Sequence, residues 1–141
     1  MQEFSVPAAY IAGPDDRVTD DVFTNEEKWP DEVGLKRKVN GTWTPVTWRE
    51  FAGQVRGIAA GLIAAGIQPG DRVALMSATR FEWTLVDFAI LTAGAVTVPI
   101  YPTSSLEQVK WILSDSAAVA AVVETDSHAD IVAAARADLP E

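Results

Sequence analysis

The sequence predicts an α/β fold, with an amino-terminal arm and a β-hairpin followed by a partial three-stranded parallel sheet flanked by helices. Two observations carry this. Short apolar runs at 72–76, 96–100 and 118–124 alternate with segments of helical period, an order that favours parallel strands joined by right-handed crossovers. Ahead of them, Asn40-Gly41 interrupts an alternating run. Both residues tolerate positive φ, which suits a two-residue type I′ hairpin.

Residues 1–34 mix Pro, Gly and acids in "GPDDRVTDDVF" and "NEEKWPDEVG" without a sustained period, and read as an arm lying over the domain that occupies 35–141. Asp15, Asp16, Asp20 and Asp21 lack Gly-punctuated calcium-loop spacing and read as solvated charge. The hairpin is expected over 35–48, with Pro45 favouring an edge or terminal position because it lacks an amide hydrogen. Thr47 and Glu50 then form a capping box. It opens a helix over about 48–65 with Phe51, Val55, Ile58, Leu62 and Ile63 on one face, stopped by Gly66.

The run "RVALM" at 72–76 predicts a short buried strand. A helix over 81–92 follows, with Trp83, Val86, Ile90 and Leu91 facing inward and Gly94 ending it. The β-branched run 96–100 predicts a second buried strand. Ser104 and Glu107 repeat the capping-box spacing and open a helix through about 114, with Leu106, Val109 and Leu113 on one stripe. A third strand in "AVAAVVE" and a helix over about 127–137, capped by Asp126, complete the pattern. Core packing accounts for Trp48, Trp83 and Trp111 at their helical positions.

The 141 residues, 48% hydrophobic and 22% charged, suit one folded domain that buries about 65% of its unfolded surface. Eleven Lys and Arg against twenty Asp and Glu give a net charge of -9, which argues against nucleic-acid and anionic-membrane partners. The one basic cluster, Lys36, Arg37 and Lys38, reads as a solvated strand face. Without cysteine, disulfides, thiolate chemistry and sulfur-based metal sites are excluded. The start "MQEFSVPAAY" has no basic n-region, and the longest apolar passage, 88–101, is broken by Gly94 and Pro99. A cytoplasmic protein without a spanning segment is expected.

Ligands of a parallel sheet collect beyond the carboxyl ends of its strands. Those ends are Ser77-Ala78-Thr79, Tyr101-Pro102-Thr103-Ser104 and Thr125-Asp126-Ser127. None contains the glycine that lets backbone amides approach a phosphate, and Pro102 removes one amide outright. The second turn is therefore expected to be structural, with Tyr101, Thr103 and Ser104 as the candidates for a pocket wall. His128, the only histidine, reads as a surface residue beside Asp126 and Asp130, with no Gly-x-Ser-x-Gly elbow to serve. Glu82 and Asp87 are five apart, too far round a helix to share a face. No catalytic residue and no metal ligand is assigned.

Four stretches together resemble the amino-terminal part of the adenylate-forming ligases, particularly bacterial long-chain fatty-acid-CoA ligases. They are "TWREF" (47–51), "GIQPGDRVALMS" (66–77), "EWTLVDFAILTAGAVTVPIYPTSS" (82–105) and "EQVKWILSDS" (107–116). The resemblance implies an incomplete amino-terminal subdomain. In the full-length enzyme it implies activation of a fatty acid with ATP and magnesium to acyl-AMP, then transfer to coenzyme A. The family's phosphate loop, ribose-binding aspartate and catalytic lysine have no counterpart in residues 1–141, so the chain alone is expected to be inactive and to bind no cofactor itself. The remainder of the ligase, or self-association, is expected to cover its apolar surfaces and sheet edges. Alternative readings are a free-standing flavodoxin-like binding module and an interaction domain.

Overall fold

The computed structural model describes residues 5–7 and 11–137. Its elements are α1 (Asp20–Lys28), β1 (Val33–Val39), β2 (Thr42–Thr47), α2 (Trp48–Ala64), β3 (Arg72–Met76), α3 (Phe81–Thr92), β4 (Val96–Ile100), α4 (Leu106–Ser116), β5 (Ala120–Val123) and α5 (Asp126–Arg136). β1 and β2 form an antiparallel pair, and the parallel sheet has the order β4-β3-β5. The expected α/β architecture is present, and β3, α3 and β4 have the predicted bounds.

The hairpin turns at Asn40 and Gly41, whose φ values of 49° and 82° meet the type I′ requirement. At Thr47 the predicted capping box is complete: the hydroxyl accepts the Glu50 amide and the Glu50 carboxylate accepts the Thr47 amide. The chain enters α2 under a tight contact, because a Cβ on Gly34 would lie 2.6 Å from the Trp48 ring.

Helix α1 was not expected, since residues 1–34 read as irregular. Asp20 and Asp21 in its first turn and Lys28 in its last complement the helix dipole. Val22 is its one buried residue and joins Phe23 in a cluster with Val46, Phe51, Ala52, Val55 and Leu85. Phe51 is the centre of that cluster, edge-on to Phe81 and Phe88 with ring centroids 6.1 and 5.9 Å away.

The sheet separates two further clusters. Val73 and Val122 pack with Val86 and Ile90 of α3, whereas Ala74, Met76 and Val123 pack with Val109 and Leu113 of α4 and Ile131, Val132 and Ala135 of α5. Helix α3 therefore covers one face, and α4 and α5 the other. Among the described residues β4 and β5 are the sheet's edges, so β4 is not the buried strand predicted. Only its Ile100 is buried, and Val96 is 48% exposed.

Several smaller expectations are corrected. Ile63 leaves the α2 stripe and is 54% exposed; on α3, Ile90 is buried and Val86 packs beside it as expected, but the other buried residues are Leu85 and Ala89, not Trp83 and Leu91. The α4 cap is Ser105, paired with Gln108, one residue beyond the predicted Ser104 and Glu107. Thr125, rather than Asp126, caps α5 by accepting the His128 amide. Trp111 lies off the Val109–Leu113 stripe and is 66% exposed, and Leu106, at the first turn, is also exposed. His128 is buried, not on the surface: it shares with Ile131, Val132 and Ala135 the spacing of α5's sheet-facing stripe.

Candidate functional site

The carboxyl ends of β3 and β5 are tied by one carboxylate. Glu124 follows β5 and accepts hydrogen bonds from the Ala78 amide at 2.8 Å, the Ser77 hydroxyl at 3.1 Å and Arg80 Nη1 at 2.8 Å. Arg80 also donates from Nε to Glu82, at 2.5 Å. The local sequence explains the geometry. Ser77, Ala78 and Thr79 carry the chain from β3 to α3, and Arg80 precedes α3 in extended conformation with no capping side-chain bond. Its guanidinium can thus span Glu82 in the first turn and Glu124 across the sheet edge.

The electrostatics follow these contacts. The Ala78 amide, then Arg80 and Ser77, hold the Glu124 carboxyl below the usual carboxylate range, and hydrogen bonding to Arg80 lowers Glu82. Both carboxylates in turn raise Arg80 above its already high value. All three remain charged near neutral pH, which disqualifies them as proton shuttles there. Their role is to hold the edge in shape. Neither carboxylate fits a resident magnesium ion, since both are engaged by Arg80, and among the described residues no group of three His, Asp or Glu stands close enough to bind a metal.

Beside this network lies a hollow of about 220 Å³ lined by Ser77, Arg80, Trp83, Val86, Val122 and Glu124. A larger one, about 710 Å³, lies at the other end of β5 between α4 and α5, with Arg72, Leu113, Ala118, Ala120, Val132 and Arg136 in its wall. Tyr101, Thr103 and Ser104 line neither. Tyr101 projects from the end of β4, 82% exposed, and its carbonyl accepts the Ser104 amide at 3.0 Å in a turn that delivers Ser105 to its capping position. Arg80, Glu82 and Glu124 were not predicted as a cluster, because the partners of the cross-sheet pair lie 44 residues apart in sequence. His128 Nδ1 is buried without a hydrogen-bond partner among the described residues.

Residues 22–141 match the model of the AMP-binding enzyme family. The chain belongs to that family. It is 54% identical to the long-chain-fatty-acid-CoA ligase FadD15 of Mycobacterium bovis over 140 residues, 99% of this chain and 23% of that protein. A crystal structure from Rhodopseudomonas palustris CGA009, described as a long-chain-fatty-acid CoA ligase, superposes with a TM-score of 0.77 at 28% identity over 90% of this chain and 31% of that one. The amino-terminal subdomain of Klebsiella oxytoca NpsA gives a TM-score of 0.67 at 27% identity, over 77% of this chain and 28% of that subdomain. The chain thus spans under a quarter of the ligase's length, as an incomplete amino-terminal subdomain. Among the described residues no helix is long and apolar enough to cross a membrane.

Proposed function

We propose that this chain is the amino-terminal scaffold of a long-chain fatty-acid-CoA ligase and has no adenylating activity alone. In the whole protein the substrates are a fatty acid, ATP and coenzyme A, with magnesium assisting the first step, and the setting is cytoplasmic. Residues 35–141 supply part of the AMP-binding subdomain, with 1–34 as its arm. Tyr101, Thr103 and Ser104 form pocket wall once later polypeptide closes over the end of β4.

One observation carries this reading: identity to a ligase over 99% of this chain but only 23% of that protein. The charged groups at the carboxyl edge support it, because Arg80, Glu82 and Glu124 are consumed by one another. The test is to incubate the chain with ATP, magnesium and a long-chain fatty acid and to follow pyrophosphate. Release at the no-protein background is expected, and saturable turnover would overturn the proposal.

A further inference from the structure

We propose that the outward face of the β1–β2 hairpin is a docking surface for an anionic lipid bilayer, with Lys36 and Lys38 meeting the headgroups and Trp43 entering the interface. The proposal goes beyond the ligase reading and does not depend on it.

The register of the hairpin divides the basic cluster that the sequence presents as one strand face. Leu35 pairs with Val46, Arg37 with Thr44 and Val39 with Thr42, whereas Lys36 pairs with Pro45 and Lys38 with Trp43. Side chains alternate across a strand, and Val46 and Leu35 belong to the core around Phe51. Arg37 shares that inward face, and its guanidinium lies over the Phe81 ring at 5.5 Å. Lys36, Lys38, Trp43 and Pro45 are left together on the outward face, all of them exposed, Trp43 by 63%. Val39, beside the turn, is also exposed.

Charge sets this face apart from the rest of the chain. A net charge of -9 opposes an anionic surface for the chain as a whole, yet residues 33–47 carry three basic side chains and no acid. Asp31, Glu32 and Glu50 sit at the end of the hairpin away from its turn. Exposed charges farther apart than about 8 Å are largely screened at physiological salt, so the local charge decides what the hairpin attracts. Among the described residues neither Lys36 nor Lys38 forms a salt bridge. The pair Lys28 and Trp29 is the contrast. It is also exposed, but Glu26, Glu27, Asp31 and Glu32 flank it.

The form of the surface selects a bilayer over a peptide. Neither hollow is lined by a hairpin residue, so this face is a ribbon without a groove. An indole combines an apolar body with a single N–H donor, which suits it to the headgroup level of a membrane. Lysine stems lie along apolar surface while their ammonium groups reach outward. Each lysine held near an anionic surface strengthens partition about fivefold, and stable attachment of a peripheral protein takes more than one such signal.

The test sediments the chain with phosphatidylcholine vesicles, with and without phosphatidylserine, and follows tryptophan quenching by brominated acyl chains. Partition onto the phosphatidylserine vesicles should be stronger by roughly tenfold or more and should weaken as salt rises, with quenching that Trp43→Ser removes. Lys36→Gln combined with Lys38→Gln should lose that advantage. Lys28→Gln combined with Arg136→Gln, which removes the same charge at exposed positions elsewhere, should retain it. Circular dichroism and urea midpoints matching the parent's identify each variant as folded, and the salt dependence and quenching are read on the parent itself. Equal partition onto both kinds of vesicle would overturn the proposal, as would binding that survives in the hairpin variants or falls equally in the control. Capture by soluble polyglutamate without vesicle binding would also overturn it and assign the face to an acidic polypeptide.

Discussion

Replacing Phe51 by alanine probes whether the hairpin, α1, α2 and α3 form one cooperative unit. The side chain is 1% exposed and meets two aromatic edges, Phe81 at 6.1 Å and Phe88 at 5.9 Å. Removing a buried phenyl costs about 3–5 kcal/mol through lost transfer energy and the residual cavity. Each edge-to-face pair contributes about 0.5–1.5 kcal/mol of its own, so the upper half of that range applies. With a urea dependence of about 2 kcal/mol per molar for a domain of this size, the unfolding midpoint should fall by about 2 M. Urea titration followed in parallel by far-UV circular dichroism and tryptophan fluorescence measures it, with Ile63→Ala, half exposed on the far side of α2, as the neutral control. A Phe51→Ala shift below about 0.5 M, or one matched by the control, would refute the assignment of Phe51 as the centre of this core.

Two other predictions concern the sheet's ends. Glu124 and Glu82 have carboxyls held below the ordinary range, so their contribution is present above that range and is lost as pH falls through the lowered values. Acid titration by circular dichroism should show Glu124→Gln less stable than the parent at neutral pH, with the difference narrowing as acid protonates the parent's carboxylate; a constant gap would contradict the role given to this carboxylate. Gly94 has φ +80° and would place a Cβ 3.3 Å from Pro69. Gly94→Ala should therefore cost about 1–3 kcal/mol from strain and overpacking, read as a lower thermal midpoint, and an unchanged midpoint would show that the turn relaxes freely.

The sequence disclosed most where chemistry is local. Thr47 with Glu50, Asn40 with Gly41, and the positive-φ stops at Gly66 and Gly94 each act within four residues, and the elements they punctuate lie where they were expected. It disclosed less where neighbours compete for one role: Ser104 and Ser105, or Thr125 and Asp126, are equally good caps on paper, and the entering backbone chooses. Helix α1 was missed because its single buried residue, Val22, gives no period. β4 was misread because a β-branched run signals a strand but not its place at the sheet's edge. His128 could have been found, since its spacing to Ile131, Val132 and Ala135 sets it on the buried stripe. The Glu124 network could not, for no spacing rule joins residues more than forty positions apart.

Helix α4 ends by a long-range device. Ala117 takes a left-handed conformation, φ 49°, that non-glycine residues disfavour. Beside it Arg72, the first residue of β3, donates from Nε to the Ser116 carbonyl and from Nη2 to that of Ala117, each at 2.9 Å. The guanidinium that secures this stop is encoded upstream of the helix it terminates. During synthesis from the amino terminus, Arg72 has left the ribosome before Ser116 is translated, so the last turn of α4 emerges with its anchor already present.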